Sequence, residues 1–206
     1  MYPHNNYTRG NFNSLNLNAS YNQTDLVIKQ NEGNEKVKSY CINVDSRDRN
    51  VSLYPLANKF EVNFRNSNGG CFINERIKNV VSIQLVEAII PTDAMGRYAT
   101  LKLSNFDNNL YGSNDVLNAA FSVLITDYSY SSYTVCKLKN LCNCFKKFSP
   151  PLAELTSFKL ELYKPDGDLA DTGTDVNLDE TVQTFFTFEI KTLENGDSKL
   201  NNHMLV

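Results

Sequence analysis

Residues 40–50 read Tyr40-Cys-Ile-Asn-Val-Asp-Ser-Arg-Asp-Arg-Asn50 and join a strand pattern to a charged turn. Ile42 and Val44 alternate with other side chains, which places both on one face of a half-buried strand. Four of the five residues 45–49 are charged, and they interrupt the alternation. The stretch therefore predicts a strand that ends in a tight, charged turn.

The two arginines of this turn have two possible sets of binding partners. The guanidinium groups of Arg47 and Arg49 can bridge the carboxylates of Asp45 and Asp48 locally. They can also fork onto carboxylates of a neighbouring subunit, because a guanidinium matches a carboxylate with two parallel hydrogen bonds. Local bridging is the first expectation, and contact with a partner is the functional one.

The same alternation of apolar and polar residues returns along most of the chain. It is found at Phe60/Val62/Phe64, Val81/Ile83/Leu85, Leu101/Leu103, Phe158/Leu160/Leu162 and Phe186/Phe188/Ile190. Residues 120–125 and 132–138 add two strands, and the one short helix is expected from Pro151 to Leu155. These patterns predict an all-β fold, a single antiparallel β-sandwich of about eight strands that is jelly-roll-like.

The length of 206 residues suits one well-packed domain and an arm. Residues 1–37 are rich in Asn, Ser and Tyr and are expected to form an extended arm that orders on contact with another surface. The β-sandwich is expected at residues 38–194, and a tail at residues 195–206.

Composition excludes several classes of function. A net charge of -3 gives no reason to expect direct binding of nucleic acid. The five cysteines lack the spacing of a secreted disulfide framework, which favours a reducing compartment. Residues 1–37 do not show the cationic and then apolar pattern of a secretory leader, so the secretory route is not expected, and no apolar run reaches the length that a membrane span requires. An integral membrane protein is therefore not expected.

Catalysis and cofactors are not expected either. The two histidines, His4 and His203, lie in the terminal segments, away from the patterned body of the chain. A nucleophile activated by histidine needs the two side chains in contact. The chain is thus predicted to be non-enzymatic.

The nearest approach to a metal motif is formed by Cys136, Cys142 and Cys144, which Cys41 or Cys71 could complete as a zinc site. The spacing lacks a close CxxC pair, so reduced thiols without metal are the competing expectation.

The same region is basic and apolar in an otherwise acidic chain. Its lysines are Lys137, Lys139, Lys146 and Lys147, and its apolar residues are Leu138, Leu141, Phe145 and Phe148. This mixture suits contact with an acidic partner or with anionic lipid headgroups. Lysines that protect a sheet edge are the competing interpretation.

Two further features suggest a binding module. The acidic residues Asp166, Asp168, Asp171 and Asp175 suggest calcium, although their spacing does not match an EF-hand and a plain turn at 165–167 explains them as well. Tyr128, Tyr130 and Tyr133 suggest a platform for a glycan, or ordinary packing in the core or on an exposed face.

Several stretches also follow one another in a set order. They are Asn43-Val-Asp-Ser-Arg-Asp-Arg49, Tyr54-Pro55, Phe60 with Val62, Asn79-Val-Val-Ser-Ile-Gln-Leu-Val-Glu-Ala-Ile-Ile-Pro91, residues 148–167 and residues 186–190. This order, which spans most of residues 39–193, resembles minor structural proteins of large icosahedral DNA viruses of algae and amoebae.

The resemblance implies a minor capsid protein that ties neighbouring capsomers together. Its implied partners are the major capsid protein and other minor capsid proteins, close to an inner viral membrane. Its implied location is the virion capsid, assembled in the host cytoplasm. A vertex (penton) jelly-roll protein is the alternative within the family, and a glycan- or calcium-binding β-sandwich module is the alternative outside it.

Overall fold

The computed structural model of the chain describes residues 36–65, 70–104, 106, 110–118, 120–138, 144–170 and 182–194. Lys36–Glu194 is one compact unit. Its strands are β1 (Lys36–Asp45), β2 (Lys59–Phe64), β3 (Cys71–Ile73), β4 (Ile77–Pro91), β5 (Ala99–Ser104), β6 (Ser122–Leu124), β7 (Tyr128–Ser129), β8 (Tyr133–Lys137), β9 (Phe145–Leu155), β10 (Ser157–Tyr163) and β11 (Phe185–Glu194). Helical turns occur at Ser46–Asp48, Thr92–Ala94 and α1 (Asp115–Asn118).

The strands form two sheets. A six-stranded sheet has the order β1-β11-β4-β8-β7, and β9 also pairs with β4. A five-stranded sheet has the order β3-β2-β10-β5-β6. The predicted all-β sandwich is therefore confirmed. Its pairs are antiparallel except that β2 and β3 run parallel, so the fully antiparallel arrangement was wrong at this pair. Alternation specifies the buried face of a strand but not its direction, which explains the error.

Four of the antiparallel pairs are nested along the chain. β1 pairs with β11, β2 with β10, β4 with β9, and β5 with β6. Each of these pairs lies inside the preceding one in sequence, as in a long hairpin that has been folded over. The outermost pair thus brings the first and last described strands together over ten residue pairs, from Lys36 with Glu194 to Asp45 with Phe185.

The core lies between the two sheets and follows the predicted alternation. Phe186, Phe188 and Ile190 of β11 are fully buried, and so are Phe158 and Leu160 of β10 on the opposite sheet. The rings of Phe158 and Phe188 meet across the interior at 5.3 Å, edge to face. Alternate side chains of a strand point to one face, so a period of two in each sheet fills a shared core.

Strand β4 is the central strand of the larger sheet and pairs with three others. One of its edges pairs with β11, while the other pairs first with β9 and then with β8. The register slips at Val80 and Ser82 against β9, and it slips twice against β11. Such bulges bend and twist a strand, which suits one long strand that serves different neighbours along its length.

Three expectations need correction. The structure has eleven strands within its described residues rather than about eight, because the short strands β3 and β7 and the long strand β9 were not foreseen. The helix expected from Pro151 to Leu155 is part of strand β9. Lys36 and Val37, assigned to the arm, already belong to β1. The rest of the arm and the tail lie outside the described residues.

Proline is tolerated in β9 because this strand is at a sheet edge. Pro150 and Pro151 lack the N–H group that an interior strand needs for pairing on both sides. Among the described residues, β9 pairs with β4 alone in its sheet.

The helical turns of the described residues are all too short to span a membrane.

We expect Phe188→Ala to lower the free energy of unfolding by about 3–5 kcal/mol, because it removes a ring from the centre of the core and leaves a cavity. Urea denaturation of the full chain measures the change. Phe72→Ala is the matched control, since Phe72 is 44% exposed on β3 and its loss should cost about 0.5 kcal/mol or less. Equal costs for the two variants would contradict this description of the core.

The outer face of the smaller sheet carries a charged network. Lys59 and Glu161 are cross-strand partners on β2 and β10, and Lys59 Nζ lies 2.9 Å from Glu161 Oε1. Tyr163 donates its hydroxyl to Glu161 Oε2 at 2.8 Å. Burial by itself raises the pKa of the Glu161 carboxyl, but the hydrogen bonds from Lys59 and Tyr163 outweigh burial, and the pKa lies below its ordinary value. Burial, together with the bond to Glu161, raises the pKa of Tyr163 to about 12.

This network predicts a dependence of stability on pH. A carboxyl whose folded pKa is lowered stabilises the fold fully above its unfolded value, near 4.5, and loses that contribution as pH falls through the lower folded value. The free energy of unfolding of the wild type should therefore fall more steeply than that of Glu161→Gln between about pH 6 and pH 3. Urea denaturation across this range tests it, with Glu75→Gln, at an exposed position, as the control that should keep the wild-type slope.

Candidate interaction surface

The charged turn after β1 is organised by Asp45. Its carboxylate Oδ1 accepts the backbone N–H of Arg47 at 2.9 Å and so caps the helical turn Ser46–Asp48. The Arg47 guanidinium binds the other oxygen, with Nη2 2.7 Å and Nε 2.9 Å from Asp45 Oδ2. The predicted local bridging is therefore confirmed for Arg47. Its side chain remains about half exposed, where a partner can also reach it.

Arg49 has a different role because it is only 4% exposed. Its guanidinium donates to the carbonyl oxygens of Ser46 at 2.6 Å, Tyr54 at 2.8 Å and Pro55 at 3.2 Å, and to Gln183 Oε1 at 2.7 Å. One side chain thus joins the turn after β1, the loop before β2 and the segment before β11. Contact of Arg49 with a partner does not fit this burial, and its planar set of five donors explains why an arginine occupies the position.

We expect Arg49→Lys to lower the free energy of unfolding by about 3 kcal/mol, because an ammonium group cannot reach four acceptors and leaves buried carbonyl groups unpaired. The matched change Arg47→Lys, at the exposed ion pair, should cost less than about 1 kcal/mol. Urea denaturation compares the two variants. Similar losses would show that Arg49 does not hold this end of the sandwich together.

Three tyrosines stand on the hairpin of β7 and β8. Tyr128, Tyr130 and Tyr133 are 39%, 55% and 41% exposed. Their rings contact one another, with centroids 5.6 Å apart for Tyr128 and Tyr130 and 4.9 Å apart for Tyr130 and Tyr133. The backbone N–H of Tyr130 donates to the carbonyl of Tyr133 at 2.8 Å, which closes the hairpin. The tyrosines are thus exposed yet held in place by each other, which agrees with neither burial in the core nor loose solvation.

Two of the four predicted lysines lie over aromatic rings. Lys137 is opposite Glu87 of β4, and its ammonium lies 5.1 Å from the Tyr128 ring centroid. Lys147 lies 5.6 Å from the Phe145 ring centroid, on the same strand. Cation–π contact holds an ammonium group over a ring face while leaving it accessible to a partner.

These residues share the outer face of the larger sheet. The side chains of β4 that point into the core are those of Ile83, Leu85, Ala88 and Ile90, so Ser82, Gln84 and Glu87 point outward. Their cross-strand partners Lys147, Phe145 and Lys137 therefore lie on the outer face too. We call the following set the tyrosine–lysine surface: Tyr128, Tyr130, Tyr133, Lys137, Phe145 and Lys147.

The remaining described residues of the predicted basic patch do not lie on the tyrosine–lysine surface. Leu138 is fully buried, and Phe148 packs against the core with its ring 5.4 Å from that of Phe106. Lys146 is half-buried on β9. Lys139 and Leu141 lie outside the described residues. Of the three described apolar residues of this patch, Leu138 and Phe148 therefore belong to the core or pack against it, and Phe145 joins the lysines on the outside.

A cavity of about 380 Å³ lies beside Tyr133, on the same end of the sheet. We call it the Asp45 cavity, and its lining residues are Asp45, Arg47, Ile89, Ser132, Tyr133, Gln183, Thr184 and Phe185. Sequence reasoning did not find it. The available signal was the pair Phe185 and Phe186, since consecutive aromatic residues in an alternating strand force one of them onto the outer face.

The cysteines do not assemble into a metal centre within the described residues. Cys136 and Cys144 are buried, and Cys144 Sγ donates to the Leu138 carbonyl at 3.1 Å. Burial raises the pKa of Cys136 to about 12 and is the main cause of the same rise for Cys71. Cys41 is exposed on β1, Cys142 lies outside the described residues, and no group of three metal-ligating side chains is found in the part described.

The acidic loop after β10 begins as a plain turn. Asp166 Oδ1 accepts the backbone N–H of Asp168 at 3.1 Å, and Gly167 has a φ of 96°, which favours glycine. The turn interpretation is confirmed for this part. Asp171 and Asp175 lie outside the described residues, as do both histidines.

Comparison with known proteins adds one match. Residues 27–95 match the model of a family of unknown function, DUF5901, over less than half of the chain. The matched region covers β1 to β4 and includes Arg49 together with its acceptors Ser46, Tyr54 and Pro55. No curated protein matches the chain.

Proposed function

We propose that this chain is a non-enzymatic minor capsid protein that binds and cross-links major capsid capsomers in the shell of a large icosahedral DNA virus. The observation that carries the proposal is the tyrosine–lysine surface, which exposes three aromatic rings in mutual contact on the face of a sheet. Tyrosine is enriched at the centres of protein interfaces because it offers a large, stiff contact area with a polar tip. The resemblance of the motif order supplies the kind of assembly.

The strand pairing supports a jelly-roll form of the sandwich. The four nested pairs β1–β11, β2–β10, β4–β9 and β5–β6 are those expected when a long hairpin of eight strands rolls into two sheets. The short strands β3 and β7, and strand β8, are then additions. A capsid component can use such a sandwich as a stiff block between neighbours.

The motif residues of the resemblance also meet in space. Arg49 of the charged turn donates to the carbonyls of both Tyr54 and Pro55, so two separate motifs build one end of the domain. That end borders the Asp45 cavity, through Asp45 and Gln183. The partners in this proposal are the major capsid protein and other minor capsid proteins, near an inner viral membrane, and the predicted arm would add contacts of its own.

Among the alternatives, a vertex protein shares the sandwich and differs in symmetry. A vertex protein assembles as a ring of five, whereas a protein that ties capsomers together binds them as single copies or small groups. Native mass spectrometry of the purified chain separates the two, because a stable pentamer would favour the vertex. The calcium-binding alternative draws no support from the Asp166 turn, whose carboxylate is used within the chain.

We expect the chain to be present in gradient-purified particles of the virus that encodes it and to bind purified capsomers of the major capsid protein. The double variant Tyr128→Ser/Tyr130→Ser should weaken that binding at least about tenfold, since it removes two exposed rings from the contact. Biolayer interferometry measures the affinity. Tyr111→Ser is the matched control, because Tyr111 is 97% exposed and outside the tyrosine–lysine surface.

Two results would overturn the proposal. Absence of the chain from purified particles, by mass spectrometry, would exclude a structural role in the shell. Undiminished binding of the double variant would show that the tyrosine–lysine surface does not bind capsomers, which removes the observation that carries the proposal.

A further inference from the structure

The floor of the Asp45 cavity is apolar although it lies on the outside of a sheet. Ile89 of β4 and Phe185 of β11 are partners in register, so their side chains stand next to each other on the outer face. Tyr133, opposite Pro91 and beside them, forms a wall. Its ring is held against Tyr130 at 4.9 Å, which fixes the wall before any ligand arrives.

The rim of the cavity is polar and neutral. Asp45 and Arg47 contribute opposite charges that are paired at 2.7 Å, and Gln183 contributes an uncharged amide. An anionic ligand would have to compete with Asp45 for Arg47, and a cationic ligand would have to compete with Arg47 for Asp45. A neutral ligand with many hydrogen-bonding groups meets neither cost.

The polar groups are also held in position. Gln183 Oε1 accepts from Arg49 Nη1 and from the hydroxyl of Ser46, both at 2.7 Å. Asp45 is fixed by the backbone N–H and the guanidinium of Arg47. A ligand that binds such a rim does not have to order it, which lowers the entropic cost of association.

From these features we propose that the Asp45 cavity is a binding site for the ring of a neutral carbohydrate. A pyranose has an apolar face of C–H groups that packs on aromatic and aliphatic side chains, here Tyr133, Phe185 and Ile89. Its hydroxyls both donate and accept, and they match the carboxylate, guanidinium and amide of the rim. The volume of about 380 Å³ is near the lower limit of small-molecule sites, which suits one sugar unit at the end of a chain. This site goes beyond capsomer binding and does not depend on it.

The test is saturation-transfer difference NMR on the full chain with a panel of neutral methyl glycosides, namely those of glucose, galactose, mannose, fucose and N-acetylglucosamine. Adenosine and N-acetylneuraminic acid complete the panel as a planar and an anionic competitor. We expect at least one neutral glycoside to receive saturation, and titration to give a Kd in the weak range of single-sugar sites. Tyr133→Ala should raise that Kd about tenfold or more.

Two further variants make the result specific. Arg47→Met leaves the floor unchanged and breaks the neutral rim, so it should weaken the same glycoside while the free energy of unfolding stays near that of the wild type. Tyr111→Ala should leave the Kd unchanged. Three outcomes would overturn the proposal: no transfer to any neutral glycoside, transfer that Tyr133→Ala does not reduce, or stronger transfer to adenosine or N-acetylneuraminic acid than to every neutral glycoside.

Discussion

The buried guanidinium of Arg49 holds together three segments that are far apart in the sequence. A cation that is 4% exposed is costly unless acceptors surround it, and here three backbone carbonyls and one amide oxygen do so. Its position determines where the charged turn and the start of β11 lie relative to each other. Asp45 and Gln183 consequently reach the same cavity, and Phe185 follows Gln183 onto its floor. Both the end of the sandwich and the cavity therefore depend on one side chain.

The surfaces of the larger sheet differ in what they can offer a partner. Two of its edge strands are poor sites for strand addition, because β1 begins with Lys36 and Lys38 and β9 carries Pro150 and Pro151. Its outer face, in contrast, presents exposed rings and lysines in a fixed arrangement. Contact through the face, by side chains, is therefore favoured over contact through the edge by backbone hydrogen bonds. The Asp45 cavity is at one end of the same face and shares Tyr133 with the tyrosine–lysine surface.

The expectations for single residues were confirmed where the interaction is local in the sequence and were wrong where it joins distant segments. Arg47 was expected to bridge locally and does so, because its partner is two residues away. Arg49 was treated as its equivalent, yet its acceptors include Gln183, which no local pattern indicates. Pro151–Leu155 was expected to be helical because two prolines often begin a helix, but pairing with Ile77–Val80 made it a strand. Within the basic region, the alternation of β9 separates Lys146 from Lys147, and burial separates Leu138 from the lysines.

Alternation with a period of two, in residues such as Phe186, Phe188 and Ile190, was enough to predict an all-β fold, because it specifies which face of each strand is apolar whatever its neighbours are. Proline and glycine marked the turn at 165–167 for an equally local reason. Pairing partners, register and the parallel direction of β3 emerged only in the tertiary structure, since these depend on contacts between residues as far apart in the chain as Lys36 and Glu194. The Asp45 cavity also emerged only in the tertiary structure. It exists because Asp45, Ile89, Tyr133 and Phe185 come from four separate parts of the chain, and only the packing of the sheet brings them to one place.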